Sequence, residues 1–205
     1  MGLYADQILP RVVNWVMDSP ALERLRQRTA APLHGEVLEL GFGSGLSLPH
    51  YPDAVTRVYA VDPAVLGRRL ASERIERTSI PVEFTGLDGQ RIPLPDESVD
   101  SALCTWTLCT IPDADRALRE VRRVLRPGGV LRFVEHGRHD DPAVARWQDR
   151  LNPLQNLLAG GCNINRRIDT LIEESGLHMV ELETFSMPGP RIFTRTYLGT
   201  AGKPG

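Results

Sequence analysis

An α/β fold with helices on both faces of a mainly parallel sheet, closed by an antiparallel C-terminal hairpin, is predicted by three features of the sequence. Short apolar runs alternate with amphipathic stretches from residue 36 to residue 175, the pattern of successive βα units. The first run ends in glycines at alternate positions, Gly41, Gly43 and Gly45. Glycine there accepts positive φ and leaves the backbone bare where a strand turns into a ligand-facing loop. The last two β-rich runs, 179–185 and 192–198, are joined by Met187-Pro188-Gly189-Pro190, a link that permits only an antiparallel pair.

The 205 residues suit one α/β domain with a sizeable core, with residues 1–35 as an N-terminal helical cap and 36–205 as the ligand-binding domain. A net charge of −2 gives no polybasic face for nucleic acid phosphates. No apolar run approaches the roughly 18 residues of a membrane span. The start, Met-Gly-Leu-Tyr-Ala-Asp, lacks a signal-peptide pattern, and Asp6 breaks the myristoylation pattern. Cys104, Cys109 and Cys162 contain no Cys-x-x-Cys pair and leave one cysteine over from any disulfide. A reduced, cytoplasmic protein is expected. No His/Cys cluster has ligand spacing, so no metal is expected.

Before the first strand, Ile8, Leu9, Val12, Val13, Val16 and Met17 form an apolar stripe at helical spacing, and Ser19-Pro20 restarts a helix. These residues are either a lid, with Tyr4 and Trp15 facing the pocket, or helices packed on the sheet edge. Strand 37–40 leads into the glycine turn, and Pro49 and Pro52 limit the next helix to 46–51. A second strand over 57–61 ends in Asp62. Residues 64–78 form the crossover helix, 82–84 a third strand and 99–106 a fourth. An amphipathic helix over 113–125 is broken by Arg126-Pro127-Gly128-Gly129, and 130–134 is the fifth strand. Residues 141–158 are helical with an interruption at Pro153, and 166–175 form a last helix ended by Gly176. The Gly/Pro-rich tail after Gly199 is expected to fray.

Ligands in open α/β sheets sit at the carboxyl ends of strands. Asp62 is therefore placed to accept from both hydroxyls of a ribose; an exposed loop aspartate is the alternative. Asp88 and the Gly89 amide could read an adenine, or belong to a plain polar loop. Residues 104–109, including Cys104, Thr105, Trp106 and Cys109, should border the pocket. Trp106 offers its face to a cation or serves as wall. Glu135 and His136 end the fifth strand facing an acceptor site, where His136 is a candidate general base or a structural loop histidine. A dinucleotide fingerprint would need a glycine at Leu46, which argues against a dehydrogenase.

Glu39-Leu40-Gly41-Phe42-Gly43-Ser44-Gly45, Val61-Asp62-Pro63, Pro95-Asp96-Glu97-Ser98-Val99-Asp100 and Val124-Leu125-Arg126-Pro127-Gly128-Gly129 together resemble a class I S-adenosylmethionine-dependent methyltransferase of the methyltransferase-11 type. More narrowly, Cys104-Thr105-x-x-Leu108-Cys109, Glu135-His136 and Gly161-Cys162-Asn163 resemble the methyltransferase-like alkyl thiol methyltransferases of animals. The resemblance implies a Rossmann-like, seven-stranded fold and S-adenosyl-L-methionine as cofactor. Gly41, Gly43 and Gly45, led by Glu39, would line the methionine end; Asp62, followed by Pro63, would hold the ribose, and Asp88 with Gly89 the adenine. Cys104 and Thr105 would border the cofactor, and Tyr4, Trp106, Cys109 and Glu135 the acceptor. The hydrophobic N-terminal segment of the animal relatives has no counterpart in the sequence, so their membrane location does not carry over. The expected reaction is methylation of a small molecule bearing a thiol, amine or hydroxyl. Its rivals are a quinone-type carbon, a lipid amine or a protein as acceptor, or a binding module without turnover.

Overall fold

The computed structural model describes residues 9–205. Strands β1 (Gly35–Leu40), β2 (Val55–Val61), β3 (Val82–Gly86), β4 (Val99–Thr105), β5 (Leu125–His136), β6 (His178–Ser186) and β7 (Arg195–Gly202) form a seven-stranded sheet in the order β3-β2-β1-β4-β5-β7-β6. The pairs from β3 across to β5 are parallel, while β7 runs antiparallel to both β5 and β6. The hairpin thus folds back so that its second strand, not its first, joins the parallel sheet.

Alternating side chains divide the core into two layers, because successive strand residues face opposite sides. Leu38, Leu40, Ala102 and Cys104 face one layer, which also holds Ala117, Leu118, Val121 and Val124 of α4 (Ala114–Val124) and Ile168 and Ile172 of α6 (Ile168–Glu174). Val37, Val58, Ala60 and Leu103 face the other, against Ala30 of α2 (Pro20–Ala30) and Ala71 of α3 (Val65–Arg77). Full burial of a side chain such as Leu118 contributes about 2 kcal/mol. Asp113 caps α4 by accepting from the Arg116 amide at 2.9 Å, as an N-cap aspartate should.

Several boundaries differ from the sequence expectation. The segment after the glycine turn is only a 3-10 turn, Leu48–His50. β5 starts at Leu125, and residues 126–129 bulge out of its pairing with β4, so Pro127-Gly128-Gly129 kinks a strand as well as ending a helix. Helix α5 (Pro142–Leu158) runs through Pro153 without a break. That proline is exposed, so water can satisfy the carbonyl it leaves unbonded. A short helical turn, α7 (Arg191–Thr194), follows Pro190 and displaces the last strand toward the C-terminus. Consequently Gly199 to Gly202 lie within β7, paired on both sides, and Lys203 still exchanges backbone hydrogen bonds with Gly128 and Gly129, against the expected fraying after Gly199.

Helix α1 (Leu9–Met17) and α2 precede the sheet. Leu25 of α2 packs with Val134 and Leu198, and Arg132 of β5 donates to the Thr29 carbonyl at 3.3 Å. Helix α2 is therefore a sheet-packed helix. Helix α1 reaches elsewhere: Asn14 accepts from the Ser44 hydroxyl in the glycine loop, and Asp18 pairs with Arg74 of α3 at 3.6 Å. Trp15, a candidate lid residue, is 78% exposed. Tyr4 lies outside the described residues.

Candidate active site

The order of strands reverses between β1 and β4, which opens a crevice at their carboxyl ends. Gly41, Gly43 and Gly45 all hold positive φ, at 79°, 54° and 72°, conformations that side-chain-bearing residues avoid. A Cβ on Gly41 would lie 1.9 Å from the Thr107 hydroxyl beyond β4, so the two strand ends can approach only because that atom is missing. Around Gly43 a Cβ would meet nothing closer than the Gly41 carbonyl at 4.0 Å, leaving one face of this turn open to a ligand. Gly67 of α3 closes the other side; a Cβ there would sit 2.8 Å from the Gly43 carbonyl.

Asp62 fixes this loop. Its Oδ2 accepts from the Gly43 amide and its Oδ1 from the Ala64 amide, both at 2.7 Å. Burial pushes its carboxyl up, and these two bonds oppose that shift. Each oxygen keeps a further lone pair for a hydroxyl donor. Pro63 beside it is exposed. Glu39 is buried at 1% exposure and accepts from the Tyr51 hydroxyl at 2.8 Å. Burial pushes its carboxyl up to about 7, against the pull of Tyr51, Ser47 and Arg26.

The end of β4 carries one of two non-glycine residues at positive φ among the described residues, the other being Glu97. Trp106 adopts φ 50°, which a bulky residue accepts only when its surroundings impose it. The imposed feature is visible: the Thr107 and Leu108 amides turn onto Glu135 Oε1 at 2.8 and 3.1 Å, joined by the Cys104 thiol at 3.3 Å. Glu135 is fully buried and its carboxyl is pushed up by that burial; it anchors the loop from below. Cys104 is a buried thiol inside the core, and Thr105 accepts through its carbonyl from the Thr107 hydroxyl at 3.0 Å. The face of Trp106 is taken by Arg26, whose guanidinium lies 5.0 Å from the ring centroid, so the tryptophan is wall toward that side.

In the loop after β3, Gly89 is buried where a Cβ would meet Leu40 at 2.4 Å. Asp88 is exposed, and its Oδ1 accepts from the Gln90 amide and side chain, both at 2.9 Å. At the far end of the crevice, His136 Nε2 lies 3.2 Å from Cys162 Sγ. Burial works against the imidazolium, but Cys162 and the Glu135 carboxylate outweigh it and hold His136 above its ordinary range. Cys109, His136 and Cys162 bring their ligand atoms within 4.8 Å of one another. Spacing along the chain gave no sign of such a group, because its members come from three separate connections.

A family model described as a methyltransferase domain matches residues 38–133. Over 178 residues the chain is 32% identical to the phosphatidylethanolamine N-methyltransferase of Cereibacter sphaeroides, covering 84% of this chain and 86% of that protein. The chain belongs to the S-adenosylmethionine-dependent methyltransferases. It is also 33% identical over 156 residues to the human thiol S-methyltransferase TMT1A, which covers 74% of this chain but 64% of the human protein. Among solved structures, a SAM-dependent methyltransferase from Aquifex aeolicus superposes with a TM-score of 0.67 at 18% identity, over 95% of this chain and 98% of that one; it shares the Rossmann-like fold.

Membership in this family makes S-adenosylmethionine the cofactor, and the open face at Gly43 together with the spare acceptor capacity of Asp62 fits it. Arg26, which stacks on Trp106, and Gly67, which packs against the Gly43 carbonyl, were not singled out by sequence, and Cys162 appeared there only within the Gly161-Cys162-Asn163 motif. Gly67 was detectable as a glycine inside a helical pattern; Arg26 looked like any other charge on a polar helix.

Two outcomes follow from this geometry. Gly41→Ala should lower stability to chemical denaturation by about 1–3 kcal/mol and weaken S-adenosylhomocysteine binding in calorimetry, since Thr107 must be pushed aside. Glu39 holds its proton up to about 7 when folded against an ordinary 4.5. Its contribution to stability is therefore fully present below pH 4.5 and lost as pH rises through about 7. The difference between the parent chain and Glu39→Gln should change by about 3 kcal/mol across that window in denaturant titrations, and a flat difference would show that Glu39 titrates normally.

Proposed function

We propose that this methyltransferase transfers the cofactor's methyl group to a small molecule bearing a thiol. The observation that carries the reading is the cluster beyond the ends of β4 and β5, where Cys109, His136 and Cys162 bring their sulfur and nitrogen atoms within 4.8 Å of one another. Its sequence similarity to a human thiol S-methyltransferase supports the same class. S-adenosylmethionine supplies an activated methyl on a sulfonium, so the chain's own task is to bind, align and exclude water.

In this reading Gly41, Gly43 and Gly45 hold the methionine end through backbone groups, with Glu39 behind them. Asp62 accepts from the ribose, and Asp88 with the Gly89 amide reads the adenine. Cys104 and Thr105 back the cofactor, while Trp106 and Cys109 line the acceptor side and Glu135 holds that loop in place. His136 lies at the acceptor end, beside Cys162, and helps to generate the acceptor's thiolate. Helix α1, tied to the glycine loop through Asn14 and Ser44, covers the crevice. Holding two reactants aligned in this way supplies on the order of 7 kcal/mol or more of the barrier.

A lipid amine is the second reading. It is favoured by the similarity to a phosphatidylethanolamine N-methyltransferase and by exposed apolar residues along α5, namely Trp147, Leu154, Leu157 and Leu158. None of the helices among the described residues is long and apolar enough to cross a membrane. Purified chain with methyl-labelled cofactor, offered alkyl thiols, phosphatidylethanolamine vesicles and phenols in parallel, distinguishes these readings. Label is expected on the thiols; label confined to the vesicles would replace the thiol reading with the lipid one. His136→Ala should lower kcat/KM for the thiol by on the order of 100-fold while leaving S-adenosylhomocysteine affinity unchanged.

A further inference from the structure

We infer that Cys109, His136 and Cys162 form a three-ligand site for a soft divalent cation, zinc by its ligand chemistry, whose open fourth position takes the acceptor thiol. This deepens the thiol reading above and rests on it for the role of the fourth ligand. The three groups come from the loop after β4, the end of β5 and the loop between α5 and α6. Their ligand atoms all lie within 4.8 Å of one another. A tetrahedral zinc site with thiolate and imidazole bonds places sulfur and nitrogen roughly 3.6 Å apart and two sulfurs roughly 3.8 Å apart. His136 Nε2 and Cys162 Sγ, at 3.2 Å, need only small rotamer changes to reach it.

The site is built rather than accidental. The Asn163 amide and its Nδ2 both donate to the Cys109 carbonyl, at 2.8 and 2.9 Å, so the residue after Cys162 is latched to the backbone of Cys109. Asn152 and Asn156 in turn hold Asn163 Oδ1 at 3.0 and 3.2 Å. Gly161, at φ 92°, brings the Cys162 loop against Thr110. His136 is fixed by its place in the sheet opposite Thr196. Cys109 Sγ otherwise contacts the Trp106 carbonyl at 3.7 Å and the Thr110 hydroxyl at 3.4 Å, both weak partners for sulfur. The same three short motifs, Leu108-Cys109, Glu135-His136 and Gly161-Cys162-Asn163, carry the narrower sequence resemblance, and the fold brings them to one point.

Ligand softness selects the fourth ligand, since a thiolate suits a cysteine-lined zinc site. Two thiolates and a neutral imidazole on a divalent cation sum to zero. Arg166 lies alongside, donating to the Leu108, Ile111 and Pro112 carbonyls, and its positive charge is felt at both Cys109 and Cys162. The buried Glu135 carboxylate acts on Arg166 as well, so the guanidinium is already countered, and it is the softness of sulfur that favours a thiolate over an amine in the open position. On binding, the acceptor's S–H bond breaks, its proton leaves to water, and the sulfur keeps the electron pair. A coordinated thiol is deprotonated outright, so His136 acts as ligand and not as the proton's destination. No electron changes hands.

Elemental analysis of the freshly purified full chain, followed by cobalt titration of the chelator-treated chain, tests the site. One metal per chain and a near-ultraviolet thiolate-to-cobalt band are expected, with the visible bands of a tetrahedral ion. Cys109→Ser and Cys162→Ser should each weaken cobalt binding by on the order of 100-fold or more, with S-adenosylhomocysteine calorimetry confirming that each variant is folded. An alkyl thiol, but not an alkyl amine, should shift the cobalt spectrum. Absence of metal and of the band, cobalt affinity in the variants equal to that of the parent chain, or a Cys109–Cys162 disulfide in the freshly purified chain would each overturn the proposal. Thiol methylation that persists in the metal-free chain would overturn the metal's role and leave the thiol reading standing. An intact cobalt site in a chain that methylates no thiol would uphold the metal and overturn the acceptor.

Discussion

The paired hydrogen bonds that the Asp62 carboxylate accepts from the Gly43 and Ala64 amides are the constraint on which the rest of the site depends. They tie the loop after β1 to the loop after β2 at the place where the sheet changes direction. Hydrogen bonds to an ionised carboxylate contribute about 1.5–3 kcal/mol each, enough to hold a loop of three left-handed glycines in one shape. With that shape fixed, Gly67 can bring α3 against the loop from one side and Thr107 can approach Gly41 from the other. Each of these contacts lacks room for a single extra carbon.

A second frame supports the opposite wall. Glu135 gathers the amides of Thr107 and Leu108 and the Cys104 thiol onto one buried oxygen, and the strained backbone at Trp106 is the local cost of that arrangement. The two carboxylates play matching parts. Asp62 organises the glycine loop and Glu135 the loop after β4, each by satisfying backbone amides that the strand ends would otherwise leave bare. Arg26 joins the N-terminal helices to both halves, since it stacks on Trp106 while its charge is felt at Glu39. The helices before β1 are thus electrically part of the site.

Much of this was legible in the sequence. Strand identities followed from apolar runs, and the glycine turn with Asp62 at the end of β2 followed from spacing, because those features are local and governed by backbone sterics. The parts that sequence could not supply depend on residues far apart in the chain. Cys109, His136 and Cys162 converge only once β4, β5 and the α5–α6 loop are in place, so a search for ligand spacing finds nothing there. Helix α5 passing through Pro153 and the helical turn at Arg191–Thr194 were missed for a different reason. Local propensity favoured a break and a strand, and tertiary placement on the surface overrode both.

The most direct test of the account is the affinity of S-adenosylhomocysteine for the parent chain and for Asp62→Ala, measured by calorimetry at the same pH and salt. The account predicts that removing this carboxylate weakens binding by at least about tenfold, since both the loop's anchor and the ribose acceptor are lost at once. An unchanged affinity in a folded Asp62→Ala protein would contradict it, and would mean that the glycine loop holds its shape, and the cofactor, by other means.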